Sequence, residues 1–250
     1  MKIVRKLHLR LGAENARVDF GTPETEKELD EMFCFRFEQY AGRGYIDPQK
    51  FTDGMEKDSI DEFGKCVYFV AKLGDKIVGT VRLIFCDPLP TEEYFTFQEP
   101  EIFHKVPRNQ RAELGRLIIV PPDKEKKIFF PRGLIMLMVL RTLVDYGDTH
   151  GILGGYAFVK SRLLEKLIKL KVPVIRISNY EQHYPLDGTI HNYFNQPNNP
   201  VLPICFVTDD IRRYLDKTMS NYWIFETLGE GELRLRHNLY TKFLQTRGVI

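Results

Sequence analysis

Three carboxylates crowd into the stretch "DGMEKDSID": Glu56, Asp58 and Asp61, spaced E-x-D-x-x-D. Asp58 and Asp61 are three residues apart, so on one helical turn they point the same way. Acids this close repel one another unless cations lie between them. Arg82, in "IVGTVRLIF", is the first candidate cation. A guanidinium inside an apolar strand needs a carboxylate partner or an exit to water. Glu113 and Arg116, in "AELGRLIIVP", form a second charged pair around Gly115. Their separation is odd, so a regular strand would put them on opposite faces. A bulge at Gly115 would bring both charges to one face and free a backbone N–H to meet a carbonyl oxygen. Arg36, followed by Tyr40 and Tyr45, completes the set. Each arginine taken singly also reads as an ordinary surface or salt-bridged residue.

The elements that must position these residues follow from periodicity and breakers. Residues 24–40 read as a helix with an acidic first turn and apolar residues at helical spacing. Residues 41–54 are a loop by their Gly and Pro content. Residues 66–85 read as a hairpin turning at Gly74-Asp75, and 112–120 as a strand stopped by Pro121-Pro122. A buried helix over 131–151 leads to a strand at 152–159, an amphipathic helix at 160–171 and a strand at 172–178. An Asn- and Pro-rich loop, a strand at 202–207 and a helix from about 208 follow. The strands flanking the helix at 131–151 are expected to be parallel, because a crossover joins them. The expected class is mixed α/β: a central mixed, twisted sheet with helices on both faces. Residues 1–215 are expected to form the main domain, and 216–250 a helical extension packed on it.

Composition narrows the function. The chain has 250 residues, 43% of them hydrophobic, which allows a sizeable core. A net charge of +2 with no basic run or basic helix argues against nucleic-acid binding. Cys34, Cys66, Cys86 and Cys205 are scattered, with no C-x-x-C, as in buried thiols of a reducing compartment. His183 and His191 lack helical metal spacing, so no metal is expected. The N-terminus has no uninterrupted apolar run, and "GLIMLMVL" is too short to cross a bilayer. A cytoplasmic protein without a transmembrane segment is the expectation.

In order, these motifs resemble the acyl-homoserine-lactone synthases and the related long-chain N-acyl amino acid synthases, a branch of the GNAT acyltransferase superfamily. Arg36, Tyr40 and Tyr45 stand where that branch has Arg, an aromatic and Trp. Glu56, Asp58 and Asp61 match its E-x-D-x-x-D, Arg82 its strand arginine, and Glu113-Leu114-Gly115-Arg116 its E-[IL]-[SG]-R. The resemblance spans residues 24–125 by motif and reaches about 210 by element order. Tyr45 replaces Trp with spacing one short, Gly115 replaces the commoner Ser, and the insert at 87–110 is long. These departures point to the N-acyl amino acid type, including the acyltransferases of exosortase systems.

The resemblance implies a GNAT-like fold and transfer of a fatty acyl group to the amine of an amino acid or similar small amine. It implies no permanently bound cofactor. The donor it implies is acyl-phosphopantetheine on acyl carrier protein, because "PPDKEKKIFFPRGLIML" carries one glycine where CoA-dependent relatives carry a glycine-rich pyrophosphate loop. Within this reading Glu113 is the candidate base, acting with Gly115 and Arg116. Arg36, Arg82 and Arg116 pair with Asp58, Asp61 and Glu113. Arg36, Tyr40, Tyr45, Glu56, Asp58, Asp61 and Arg82 shape the substrate site. Leu117, Ile119, Met136 and Met138 are the expected acyl-pocket walls, and Lys124, Lys126, Lys127 and Arg132 the expected carrier-protein docking patch. Two alternatives stand beside it: a lactone synthase using S-adenosylmethionine, and a GNAT-like protein that binds acyl chains or a partner without catalysis.

Overall fold

The computed structural model describes residues 1–11, 14–62, 64–120 and 132–236. Two N-terminal strands, β1 (Lys2–Leu11) and β2 (Glu14–Thr22), precede helix α1 (Glu26–Ala41). A capping box between Thr25 and Glu28 starts α1. A single turn, α2 (Ser59–Glu62), leads into the hairpin β3 (Cys66–Leu73) and β4 (Lys76–Ile84). Its tight turn uses Gly74 at φ 58°, a left-handed conformation open to glycine. The insert carries α3 (Pro90–Tyr94) and β5 (Phe95–Phe97). Then come β6 (Arg111–Ile119), α4 (Arg132–Thr149), β7 (Gly154–Lys160) and α5 (Ser161–Lys169). The chain continues through β8 (Ile175–Arg176), β9 (Tyr180–Gln182), α6 (His191–Phe194), β10 (Val201–Val207), α7 (Thr208–Met219), β11 (Phe225–Gly229) and β12 (Glu232–Leu235).

Ten strands form one mixed sheet in the order β11-β12-β1-β2-β3-β4-β6-β7-β10-β8, while β5 and β9 form a separate ribbon. β6 and β7 are parallel, as the crossover through α4 requires. On one face α4, α5 and α7 cover the main core, centred on residues such as Leu7, Val81, Ile135, Met138 and Leu215. On the other face α1 packs through Met32 and Phe33, and an aromatic cluster with Phe35, Phe95 and Phe194 adjoins it.

Three differences from the sequence reading have physical causes. The N-terminal hairpin alternates charged with apolar residues, the period-2 pattern of a strand, and it was not among the expected elements. Of the helical extension expected from residue 216, only 216–219, the end of α7, are helical among the described residues. After α7 ends at Met219 the chain forms β11 and β12, and β12 joins the main sheet in parallel with β1. That pairing joins Lys6 to Glu232, a contact no local pattern announces. Residues 237–250 of the expected extension lie outside the described residues. The strand expected at 172–178 shrinks to Ile175–Arg176.

Parallel pairing of β6 with β7 is tight at one point. A Cβ on Gly155 would lie 1.8 Å from the Ala112 carbonyl oxygen, two backbones that must separate to accept it. Gly155→Ala is therefore expected to cost on the order of 3–5 kcal/mol, read as a lowered urea midpoint or failure to fold.

Candidate active site

Arg36 projects from α1, Glu56 and Asp58 from the loop before α2, Asp61 from α2, Arg82 from β4 and Arg116 from β6. They meet as a closed ring of alternating charge. Arg36 Nε donates to Glu56 at 2.6 Å, and its two terminal nitrogens reach Asp61 at 3.2 and 2.9 Å. Arg82 forks onto Asp58 at 2.6 and 2.8 Å and contacts Asp61 at 2.7 Å. Arg116 closes the circuit, with Nε donating to Glu56 at 3.0 Å and a terminal nitrogen to Asp58 at 2.9 Å. Each arginine thus holds two acids and each acid two arginines. All six are deeply buried; Asp58, with its side chain 16% exposed, is the most accessible.

The loop that brings the acids in is pinned locally as well. Asp58 accepts from the backbone N–H groups of Ile60 and Asp61, which starts α2. Glu56 N–H donates to Phe33 of α1, and Tyr68 OH donates to Asp61. Burial alone would push all three acids toward neutrality, but the arginines outweigh it. The carboxyls of Glu56, Asp58 and Asp61 are all held below the usual range.

Arg116 reaches the ring only because β6 is bulged. Arg82 pairs with Gly115, but Thr80 pairs with Ile118, so β6 carries one extra residue there. Arg116 takes φ 57°, a conformation costing a non-glycine residue about 1–3 kcal/mol. The bulge thus lies where the sequence predicted it, with the strained residue one position later. It also lets Leu114 and Leu117, three residues apart, face the same side. Both line an apolar cavity of about 80 Å³ between the sheet and α4, α5 and α7.

Glu113 stands outside the ring. Its expected place beside Arg116 is taken by Glu56, so the pairing of Glu113 with an arginine is corrected. It is fully buried and accepts one hydrogen bond, from Thr91 N–H of α3 at 2.7 Å. Its second oxygen has no partner among the described residues. Burial dominates here and pushes the carboxyl up to about 8. Thr91 Oγ and Arg82 Nε are likewise buried without partners. Such atoms are rare in folded proteins, and three of the four found among the described residues belong to this small neighbourhood.

Tyr40 and Tyr45 extend the site as an aromatic wall. Arg116 sits over the Tyr40 ring at 5.7 Å, and Tyr45 packs edge-on between Tyr40 and Tyr193. Tyr193 and Lys160 were not anticipated. Lys160, the last residue of β7, is buried between Tyr193 and Tyr45 and donates to the Tyr193 carbonyl. Burial lowers its pKa to about 8. A lysine ending an apolar strand was the available signal.

Of the expected acyl-pocket walls, Leu117 lines the cavity. Ile119, Met136 and Met138 do not. The two methionines pack in the main core, and α4 presents Leu140, Leu143, Val144 and Gly147 to the cavity instead. Lys124, Lys126 and Lys127 lie outside the described residues, and Arg132 opens α4. Among the described residues no metal-ligating cluster occurs and no helix is long and apolar enough to cross a membrane.

A bulged strand in a mixed sheet, a buried carboxyl at the bulge and an apolar cavity behind it mark the site, and the likeness to known proteins makes the chain an acyltransferase of the GNAT-like class. A family profile for N-acyl amino acid synthase FeeM matches residues 31–162, and the chain belongs to that family. Three solved structures share the fold. The acyl-homoserine-lactone synthase LasI superposes with a TM-score of 0.54 at 18% identity, covering 79% of this chain and 93% of LasI. FeeM, an N-acyl amino acid synthase from uncultured soil microbes, gives 0.53 at 16%, covering 82% and 99%. BjaI, a CoA-dependent acyl-homoserine lactone synthase, gives 0.51 at 15%, covering 90% and 93%. No curated protein matches the sequence.

Because three positive charges balance three negative ones, replacing one acid by its amide leaves an uncompensated buried cation. Glu56→Gln keeps the shape and is expected to destabilise by about 3–5 kcal/mol, measured by urea denaturation at neutral pH.

Proposed function

We propose that this acyltransferase moves a fatty acyl group from the phosphopantetheine thioester of acyl carrier protein to the amine of an amino acid or similar small amine, in the cytoplasm. One observation carries the reading. The segment Glu113–Leu117 presents an isolated carboxyl to one face of the sheet and the cavity-lining Leu114 and Leu117 to the other. Pairing between β6 and β7 ends at Glu113 and Tyr156, so the strands are free of each other from that level onward. A thioester carbonyl at the bulge would have its hydrocarbon tail in the apolar cavity and its carbonyl carbon beside the base.

The amine nitrogen attacks that carbon, forming the C–N bond. Glu113 takes a proton from the nitrogen as positive charge develops on it. The C–S bond breaks and the thiol leaves with the proton that Glu113 took from the nitrogen. Backbone N–H groups at the bulge around Gly115 and Arg116 polarise the carbonyl oxygen. The charge ring, with Tyr40 and Tyr45, holds the acidic loop as the wall of this site. A carrier-protein donor suits a segment after β6 with a single glycine, since phosphopantetheine brings no pyrophosphate to cradle.

Glu113→Gln is expected to lower kcat by roughly 10²–10⁴-fold while the protein stays folded. Mass spectrometry of organic extracts from expressing bacteria should show N-acyl amino acids with the wild type only. Homoserine lactones would assign the chain to the alternative chemistry, and full activity of the variant would remove Glu113 from its role. In the wild type, kcat/KM should rise with pH toward a plateau above about 8, as Glu113 loses its proton. Stability should move the opposite way. Between the ordinary carboxyl value and about 8 the folded protein keeps a proton that the unfolded chain releases, so stability falls as pH rises. Glu113→Gln should lose that slope.

The cavity should set chain length. Ala157→Leu places extra carbons in it. The longest accepted acyl chain should shorten, with roughly 10–200-fold loss per methylene beyond the new limit, read from product masses with donors of graded length. An unchanged distribution would place the acyl chain elsewhere.

A further inference from the structure

The insert between β4 and β6 delivers a second polar group to the base. It is firmly seated: Phe103 is fully buried, Arg111 and Tyr156 OH both bind Glu99, and Arg108 binds Glu92 of α3. This seating holds Thr91 against Glu113. The Thr91 N–H donates to one carboxyl oxygen, Oε2. The Thr91 hydroxyl lies beside the same carboxyl and can only donate to it, so no group donates to the hydroxyl oxygen or to Glu113 Oε1. Both residues are fully buried. A buried hydroxyl oxygen that no donor reaches is a cost that a valine of the same shape would avoid. Two unpaired acceptors side by side, one on the base itself, match the needs of a group with two N–H donors.

We propose that Thr91 Oγ and Glu113 Oε1 together form the seat of a primary amine, which makes Thr91 a specificity-determining residue. This rests on the acyl-transfer reading above. A neutral primary amine has two N–H bonds and one lone pair. With one N–H on Thr91 Oγ and the other on Glu113 Oε1, the lone pair is left for the thioester carbon. As the C–N bond forms, the proton facing Glu113 passes to its carboxylate; as the C–S bond breaks, Glu113 gives that proton up to the departing sulfur. The other N–H stays on Thr91 and remains in the product amide. A secondary amine has one N–H. It can meet the base but leaves the Thr91 hydroxyl unpaired, with an alkyl group pressed against it. The site therefore discriminates against N-alkylated acceptors, and Thr91 is the residue that does so.

The test uses two acceptor pairs, alanine with N-methylalanine and phenylalanine with N-methylphenylalanine, and one acyl donor. The readout is the ratio of kcat/KM for the primary amine to that for its N-methyl counterpart. Thr91→Val keeps the backbone N–H on Glu113 and the side-chain shape. It should lower that ratio about tenfold, the worth of one hydrogen bond. Thr91→Ser, which restores the hydroxyl, should return the ratio to that of the wild type. A ratio unchanged in Thr91→Val overturns the inference, as does a variant that loses both acceptors equally, since a structural defect would do that. The underlying reading fails separately: a fully active Glu113→Gln removes the base, whatever the Thr91 ratio shows.

Discussion

The interaction on which the rest of the structure depends is the closed ring of Arg36, Glu56, Arg116, Asp58, Arg82 and Asp61. Water is nearly excluded from it, so no member can be left unpaired without a large penalty. Its members come from α1, the loop before α2, α2 itself, β4 and β6, so satisfying the charges fixes how these segments sit together. The ring also explains the backbone strain at Arg116. A regular β6 would turn that guanidinium to the cavity face, among leucines. The left-handed residue and the extra position in β6 return it to the charged face, and two acids on the guanidinium offset the local cost.

Saturation of the ring divides labour among four acids that look alike in sequence. Glu56, Asp58 and Asp61 each touch two arginines and stay ionised. Glu113 belongs to no pair, so desolvation outweighs the opposing pull of Thr91 and Arg82, and its proton is held into the range where amines are also titrating. Acid and base assignments of this kind arise when one site pushes neighbouring titratable groups in opposite directions. Glu113 could not hold its raised affinity for a proton if it took the place of Glu56. Two guanidinium groups would then drive it down with the rest.

That exchange shows what was legible in the sequence. The types and the spacing of the charged residues announced a coupled cluster, and Gly115 between Glu113 and Arg116 announced the bulge. Which acid pairs with which arginine is a matter of side-chain reach across four segments, and period-2 reasoning loses the face assignment once a bulge intervenes. The hydrophobic walls were harder for another reason. From Leu134 to Leu140 α4 is apolar on every side, so its periodicity does not tell the face toward the cavity from the face in the core, and Met136 and Met138 were as plausible as Leu140 and Leu143. The strand β12 was invisible because its partner in the main sheet, β1, lies at the other end of the chain. Thr91 carried no signal at all, since its place beside Glu113 is set by how the insert folds back onto β6.

The bulge links these levels. A strand that gains one residue loses register with one neighbour, and β6 keeps β4 while its pairing with β7 stops at Glu113. β7 does not need β6 beyond that level, because β10 pairs with it along its whole length, from Gly154 to Lys160. The sheet therefore opens at the carboxyl without leaving β7 unsupported. Opening a sheet normally exposes backbone groups that must find other partners. Under the function proposed above, a thioester lying along the gap would be such a partner. On that proposal its carbonyl would meet the one residue whose carboxyl is kept out of the charge ring, and its tail the two leucines that the same extra residue turned toward the cavity.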